Sequence, residues 1–214
     1  DPDIAKHYYE QGVWQDDTFY GLAARYALEQ PDHYALRDNY RRLSYAELIE
    51  WVDAVAEDMH QAGVRRGQRV SIWLPNCVES VIIFLACSRN GYVCNPSLHQ
   101  NYTVEEITRL LTRLQSAALF AQPGYGADTN NADVFEQTKK LPFLQKVYAL
   151  QPTIDHLPKL GFPAFKPATT EANGNPDKVA YLAFTSGTTG DPKGVMHSDN
   201  TLLTNARALV NNVL

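Results

Sequence analysis

Short apolar runs alternate with helical patterns between residues 69 and 150, and this alternation leaves few folds open to the chain. Each run is short enough for a buried strand, and each segment between two runs repeats apolar residues at helical spacing. Strands separated by helices favour βαβ units with parallel strands. The sequence therefore predicts an α/β fold with a mainly parallel β-sheet flanked by helices. The predicted strands are Arg69–Leu74, Tyr92–Asn95, Ala117–Ala121 and Lys146–Leu150, and the predicted helices are Glu79–Arg89, Thr103–Leu114 and Asp133–Lys140.

A longer helix is predicted before this alternation, over residues 43–63. Ser44 is a good N-cap, and Glu47 completes a capping box with it. Gly63 stands where a helix-ending glycine belongs. Five carboxylates on this helix could suggest an acidic site, but they lie mostly off the apolar stripe. A solvated helix face is the favoured interpretation of this set, which comprises Glu47, Glu50, Asp53, Glu57 and Asp58.

The remaining segments complete a single α/β subdomain over residues 1–214. Residues 1–16 lack periodicity and are predicted to form an extended arm that packs on the domain surface. The α/β core then covers residues 17–150, beginning with a helix that ends at Pro31 and a small hairpin that turns at Asp38-Asn39. Residues 151–177 are rich in Pro, Asn and Gly and are predicted to be a connector. Residues 178–214 form the final unit.

Charge and hydropathy exclude two classes of function. The net charge is −5 at pH 7, so no basic surface for nucleic acid is expected. The strongest apolar run, Val81–Cys87, is far too short for a transmembrane segment. No signal peptide is visible, and the first residues, Asp-Pro-Asp, lack a methionine, which suggests a trimmed chain.

The cysteines and histidines predict no metal site. The three cysteines form no CxxC motif, and each lies in or beside an apolar stretch. Buried free thiols in a reducing cytoplasm are therefore favoured over metal or redox work for Cys77, Cys87 and Cys94. The six histidines show neither HxxxH nor HExxH spacing.

A strand followed by a loop rich in glycine and hydroxyl groups occupies residues 179–194. Val179–Phe184 is apolar and β-favouring. Residues 185–194 contain four hydroxyl side chains, three glycines and one lysine, Lys193. Glycines let backbone N–H groups approach a ligand closely, and consecutive N–H groups form a concavity that binds anions. Because lysine adds a compact positive charge, the pattern predicts a polyphosphate-binding loop.

This loop is not a Walker A motif, in which a second glycine precedes the lysine and Ser or Thr follows it. Counted from Gly187, Pro192 takes the place of that second glycine, and Gly194 follows the lysine. Gly-Val-Met-His then predicts a second short strand, and Ser198 or Asp199 can cap a helix. The expected layout is strand, loop, strand, helix. The plain alternative is a Gly/Thr surface turn with an incidental lysine.

Residues 185–195, TSGTTGDPKGV, resemble the phosphate-binding signature of the adenylate-forming superfamily. This superfamily contains acyl-CoA synthetases, firefly-type luciferases and the adenylation domains of peptide synthetases. GVMHSDNTLL, residues 194–203, is more similar to the acyl-CoA synthetase branch. RRLSYAEL at 41–48 and the segment 63–111 also resemble family elements. Together these matches cover most of residues 41–212.

The resemblance implies an ATP-dependent ligase that needs Mg²⁺ and coenzyme A. A carboxylic acid would attack the α-phosphate of ATP to give an acyl-adenylate, and coenzyme A would then take the acyl group. Lys193 is implied as a catalytic residue, and Thr185 matches a position that contacts magnesium in some members. The residues implied to bind the ATP phosphates are Thr185, Ser186, Gly187, Thr188, Thr189, Gly190 and Lys193.

The resemblance also implies that the chain is an N-terminal fragment, since family members continue for several hundred residues. The metal-binding Glu, the ribose-binding Asp, the C-terminal lysine and most of the acyl pocket would lie outside it. We therefore expect no turnover by the isolated chain. Two alternatives remain open: another adenylate former, either carrier-protein-loading or luciferase-like, or a non-catalytic phosphate-binding module. The sequence leaves the carboxylic acid and the oligomeric state open.

Overall fold

The computed structural model describes residues 2–96, 98–151, 167–185 and 193–213. The helices over these ranges are α1 Pro2–Glu10, α2 Phe19–Glu29, α3 Tyr45–Gln61, α4 Val78–Asn90, α5 Val104–Leu114, α6 Val134–Thr138 and α7 Asp199–Val213. The strands are β1 Tyr34–Arg37, β2 Arg42–Ser44, β3 Arg69–Trp73, β4 Val93–Asn95, β5 Ala118–Ala121, β6 Lys146–Ala149, β7 Val179–Thr185 and β8 Lys193–Ser198.

The main sheet is mixed but mainly parallel. Its six strands lie in the order β6-β5-β3-β4-β7-β8, and β1 and β2 form a separate antiparallel pair. From β6 to β7 each strand is parallel to its neighbours, whereas β8 is antiparallel to β7. The predicted α/β fold is therefore confirmed, and so are the hairpin and the alternation of strands and helices.

The central strands β3 and β5 are buried on both faces. Successive side chains of a strand point to opposite faces of the sheet. On β3, Val70 and Ile72 accordingly join one apolar cluster, whereas Trp73 joins the other. The first cluster includes the inner faces of α3 and α4, and the second includes those of α5 and α6. Helices thus cover both faces of the sheet, as buried parallel strands require.

Local capping signals define the ends of several helices as predicted. Ser44 and Glu47 form a reciprocal capping box at α3, and Thr103 and Glu106 form another at α5. The helix α4 ends at Gly91, which has φ +73° and donates its N–H to the Cys87 carbonyl. A Cβ at this position would collide with the Asn173 side chain, so glycine is required here for both backbone and space.

The prediction of an extended N-terminal arm is wrong for residues 2–10, because they form α1. Pro2 occupies the first helical position, where its missing N–H costs nothing, and Asp3 lies in the first turn. Lys6 and Glu10 form an i,i+4 pair at 3.8 Å. These local signals favour a helix that buries none of its residues, which is why apolar periodicity did not reveal it.

The prediction of a solvated acidic face on α3 is wrong for three of its five carboxylates. Glu57 is only 3% exposed and accepts hydrogen bonds from the backbone and hydroxyl of Thr169. The Thr169 N–H is the main cause that lowers the pKa of Glu57. Asp53 accepts a 2.7 Å hydrogen bond from Arg89, and Asp58 accepts one from a tyrosine of β6. These carboxylates hold other segments against α3.

The three cysteines are free thiols, and two of them are buried. Cys87 and Cys94 are buried free thiols as predicted, whereas Cys77 is half-buried. Burial raises the pKa of the Cys87 thiol, and the neighbouring Cys94 adds to the shift. Within the described ranges, no helix combines the length and apolar character needed to cross a bilayer.

Replacement of Ile82 by alanine tests the core of α4. Ile82 is 0% exposed, and its neighbour Val81 is 37% exposed. We expect I82A to lower the free energy of unfolding by about 2–5 kcal/mol, since it leaves a cavity in the first apolar cluster. The matched control V81A is expected to cost less than about 1 kcal/mol. Equal losses in denaturant unfolding of the two variants would contradict this packing.

Candidate functional site

The loop after β7 leaves the sheet at the edge where the parallel strands end. β7 is parallel to β4, and β4 and β5 both pair in parallel with β3. The carboxyl ends of these four strands therefore share one edge. In open α/β sheets this edge is where ligands bind, because the loops there diverge and leave a crevice.

Thr185 and Lys193 lie opposite each other at the base of this loop. They form the last register pair of the antiparallel β7–β8 ladder. The Thr185 hydroxyl also donates a 3.4 Å hydrogen bond to the Lys193 carbonyl. Both residues are exposed, and among the described residues Lys193 forms no ion pair. The hairpin thus brings together the first and last predicted phosphate contacts at one end of its ladder.

The predicted contacts between these two residues lie outside the described residues. This applies to Ser186, Gly187, Thr188, Thr189 and Gly190. The predicted layout of a strand before the loop, a strand after it and then a helix is confirmed by β7, β8 and α7.

A buried asparagine fastens β7 to the sheet close to the loop. The Asn95 side chain on β4 donates a 2.7 Å hydrogen bond from Nδ2 to the Leu182 carbonyl of β7. Asn95 is fully buried. A polar side chain at the end of a buried strand needs such a partner, because an unpaired amide there is costly. Asn95 was not identified as important from the sequence. The one indication in the sequence is that a polar residue ends the predicted apolar strand Tyr92–Asn95.

His197 has the surroundings of a structural side chain. Its ring lies 6.2 Å from that of Tyr181, and its Nδ1 is 3.5 Å from the Thr201 hydroxyl. Tyr181 in turn makes an edge contact with Phe84 of α4. Burial is the main cause that raises the pKa of the Tyr181 phenol, and Cys94 adds to the shift. These contacts support the interpretation of His197 as a residue that packs the hairpin onto the sheet.

A magnesium ion at this loop would need oxygen ligands from bound phosphate and water in addition to those from the protein. Within the described ranges, no group of three or more His, Cys, Asp and Glu side chains could hold a metal by itself. Mg²⁺ commonly takes one or two protein ligands and completes its shell with substrate phosphates and water. The exposed Thr185 hydroxyl is compatible with that arrangement, in which phosphate and water would supply the other oxygens.

Known proteins match most of the chain. The medium-chain fatty-acid–CoA ligase of Escherichia coli (strain K12) is 31% identical over 207 residues, which cover 94% of this chain and 36% of the relative. Phosphinothricin tripeptide synthetase PhsC of Streptomyces viridochromogenes is 30% identical over 179 residues, covering 84% and 15%. The apo structure of Mycobacterium smegmatis MbtA shares the fold with a TM-score of 0.74 and 24% identity, covering 99% and 39%.

The chain belongs to the AMP-binding enzyme family, since the sequence model of that family matches residues 23–213. The resemblance to adenylate-forming ligases is thereby confirmed. The chain spans 36% of the length of the E. coli relative and 15% of that of the Streptomyces relative.

Replacement of Asn95 tests how β7 is held. We expect N95A to lower the free energy of unfolding by about 1–3 kcal/mol, because the Leu182 carbonyl loses the hydrogen bond that the buried Asn95 side chain donates. The control N130A removes an asparagine side chain at an exposed turn and should change stability by less than about 0.5 kcal/mol. Chemical unfolding of both variants provides the measurement. If N95A were as stable as N130A, the hydrogen bond would not hold the strand.

Proposed function

We propose that this chain is the phosphate-binding part of an ATP-dependent carboxylic acid:CoA ligase. The observation that carries the proposal is the closure of the loop by Thr185 and Lys193 at the carboxyl edge of a parallel sheet. Membership of the AMP-binding family supports it, and so does the E. coli relative, which is a fatty-acid–CoA ligase. A fatty acid is accordingly one candidate substrate.

In the proposed reaction the loop binds the phosphates of ATP. A carboxylate oxygen attacks the α-phosphorus, the bond to the bridging oxygen breaks, and pyrophosphate leaves with its electron pair. The thiolate of coenzyme A then attacks the acyl carbonyl, and AMP leaves. The chain contributes positive charge and donors where charge builds on the departing pyrophosphate. We assign this role to Thr185, Ser186, Gly187, Thr188, Thr189, Gly190 and Lys193.

Lys193 is the catalytic residue in this proposal. Its ammonium is a compact charge on a flexible side chain. Lys193 lies at the end of the hairpin that joins the loop, where a bound phosphate would meet it. The Thr185 hydroxyl would be the magnesium ligand from this chain. When bound, the ion neutralises phosphate charge.

The remaining length of a typical relative would supply the rest of the site. We therefore propose that this chain is the N-terminal part of a longer ligase and that it lacks turnover alone. A cytoplasmic location is part of the proposal, because the buried thiols Cys87 and Cys94 stay reduced there. The net charge of −5 supports small-molecule partners over nucleic acid.

A second function is favoured by one comparison. PhsC is a peptide synthetase, and it matches 84% of the chain. An adenylation domain that loads a carrier protein would use the same loop and the same first half-reaction, and only the acceptor thiol would differ. Acyl transfer to free coenzyme A by the full-length protein separates the two, because a carrier-loading enzyme stops at the acyl-adenylate without its carrier.

Replacement of Lys193 in the full-length protein tests the proposed role. We expect K193A to lower kcat/KM for ATP by about 100-fold in carboxylate-dependent AMP release with coenzyme A, because charge on the leaving pyrophosphate loses a partner. K139A is the matched control, since Lys139 directly follows α6, is exposed and pairs only with Glu136 within the described residues. It should leave the rate unchanged. Wild-type activity in K193A would refute the assignment.

The 214-residue chain by itself provides a second test. We expect no carboxylate-dependent ATP–pyrophosphate exchange above background, because only part of the transition-state environment is present. The full-length protein, assayed with the same carboxylate panel, is the positive control. Exchange by the isolated chain would show that residues 1–214 contain a complete adenylation site.

A further inference from the structure

Two polar residues directly after β8 are fully buried. Asp199 and Asn200 begin α7, and both are 0% exposed. A buried carboxylate is costly unless charged or hydrogen-bonding groups surround it. The contacts of these two side chains satisfy their polar atoms and connect separate parts of the chain to the hairpin formed by β7 and β8.

The carboxylate of Asp199 has three partners on different segments. Lys178 donates to Oδ2 at 2.7 Å, and the lysine side chain is 9% exposed. Oδ1 accepts a 3.0 Å hydrogen bond from the Ser88 hydroxyl of α4 and a 2.9 Å hydrogen bond from the Phe19 backbone N–H. One carboxylate thus joins the residue before β7, the first turn of α2 and the last turn of α4.

The Lys178–Asp199 ion pair lies at the end of the β7–β8 hairpin that is opposite the loop. Lys178 directly precedes β7, and Asp199 directly follows β8. The ladder between these strands runs from Val179 opposite Ser198 to Thr185 opposite Lys193. The ion pair therefore fastens the open end of the same hairpin whose other end carries the loop. A rotation of the hairpin at this open end would displace the loop at its tip.

Asn200 makes a second set of contacts beside the first. Its Oδ1 accepts the Gln15 backbone N–H at 3.0 Å, and its Nδ2 donates to the Tyr9 hydroxyl at 2.8 Å and to Asp177 at 2.9 Å. Its backbone N–H donates to the Pro176 carbonyl at 3.1 Å. The N-terminal segment and the residues before β7 thus meet on this one side chain.

We propose that Asp199 is a positioning residue for the phosphate loop and that Lys178, Ser88 and Asn200 form with it a buried junction that sets the orientation of the hairpin. The proposal rests on the proposed function for its consequence in ATP binding. Its mechanical part, that the junction restrains β7 and β8, stands on the contacts alone. Buried ion pairs often add little net stability, and in some proteins they select one arrangement of the groups they join, which is the role proposed for this pair.

Three variants separate positioning from simple stabilisation in the full-length ligase. D199N keeps the shape and one acceptor for Phe19 and Ser88 but leaves the buried Lys178 without its counterion. K178M removes the positive charge of the ion pair, and K178R retains a positive charge at this position. D17N is the matched control, since Asp17 also links the N-terminal segment to α7, through a 2.7 Å contact with Arg207, and lies away from the hairpin.

We expect D199N and K178M to raise the KM for ATP roughly tenfold, because small misplacements of a binding group weaken binding strongly. The KM values for the carboxylate and for coenzyme A should change little. K178R and D17N should behave as wild type. Unchanged KM for ATP in D199N and K178M, with a lower melting temperature, would reduce the junction to a structural role and overturn the proposal.

Hydrogen–deuterium exchange without nucleotide keeps this test independent of catalysis. Amides of residues 179–185 and 193–198 should exchange faster in D199N and K178M than in wild type, whereas those of β3 and β5 should not. Equal exchange in the hairpin would overturn the proposal even if the enzyme were active. A wild-type protein that never binds ATP would refute the proposed function, while faster hairpin exchange would still support the junction.

Discussion

Burial of the central strands on both faces is the constraint on which the rest of this structure depends. The residues of β5 and nearly all of those of β3 are excluded from solvent. Their backbone groups must then pair within the sheet, and both faces must be covered. Helices packed on the two apolar clusters meet that requirement. Because the strands are parallel, each connecting helix returns the chain to the opposite end of the sheet. The carboxyl ends of the parallel strands therefore lie side by side.

The candidate site depends on this arrangement but is not built from the parallel part of the sheet alone. β7 adds one more parallel strand to the sheet, and β8 pairs antiparallel with β7. The resulting hairpin carries the loop at the carboxyl ends of the parallel strands. Two exposed residues, Thr185 and Lys193, pair where the hairpin meets the loop. Buried polar groups hold its body and its base. Asn95 acts from β4, and Asp199 acts from α7. A binding loop carried on a rigid support is a common arrangement in proteins.

Predictions from the sequence succeeded where the signal was local. Capping boxes at Ser44 and Thr103 require residues only three positions apart, and strand runs between helices require only periodicity. Predictions failed where partners are distant in the chain. Glu57 looked like a solvated carboxylate, but its partner Thr169 is 112 positions away. The helix α1 was missed for another reason, since it buries no residue and so leaves no apolar stripe to detect.

The sequence by itself determined the α/β class and the order of the elements from α2 onward, because propensity, capping and glycine content act over a few residues. Only the tertiary structure decided which polar side chains are buried and what they join. Asp199 could be recognised in the sequence as a helix cap, yet its contacts with Ser88 and Phe19 exist only after α4 and α2 are packed against α7. The reason is physical: a buried charge is stabilised by partners that the fold brings together, and a linear pattern does not specify them.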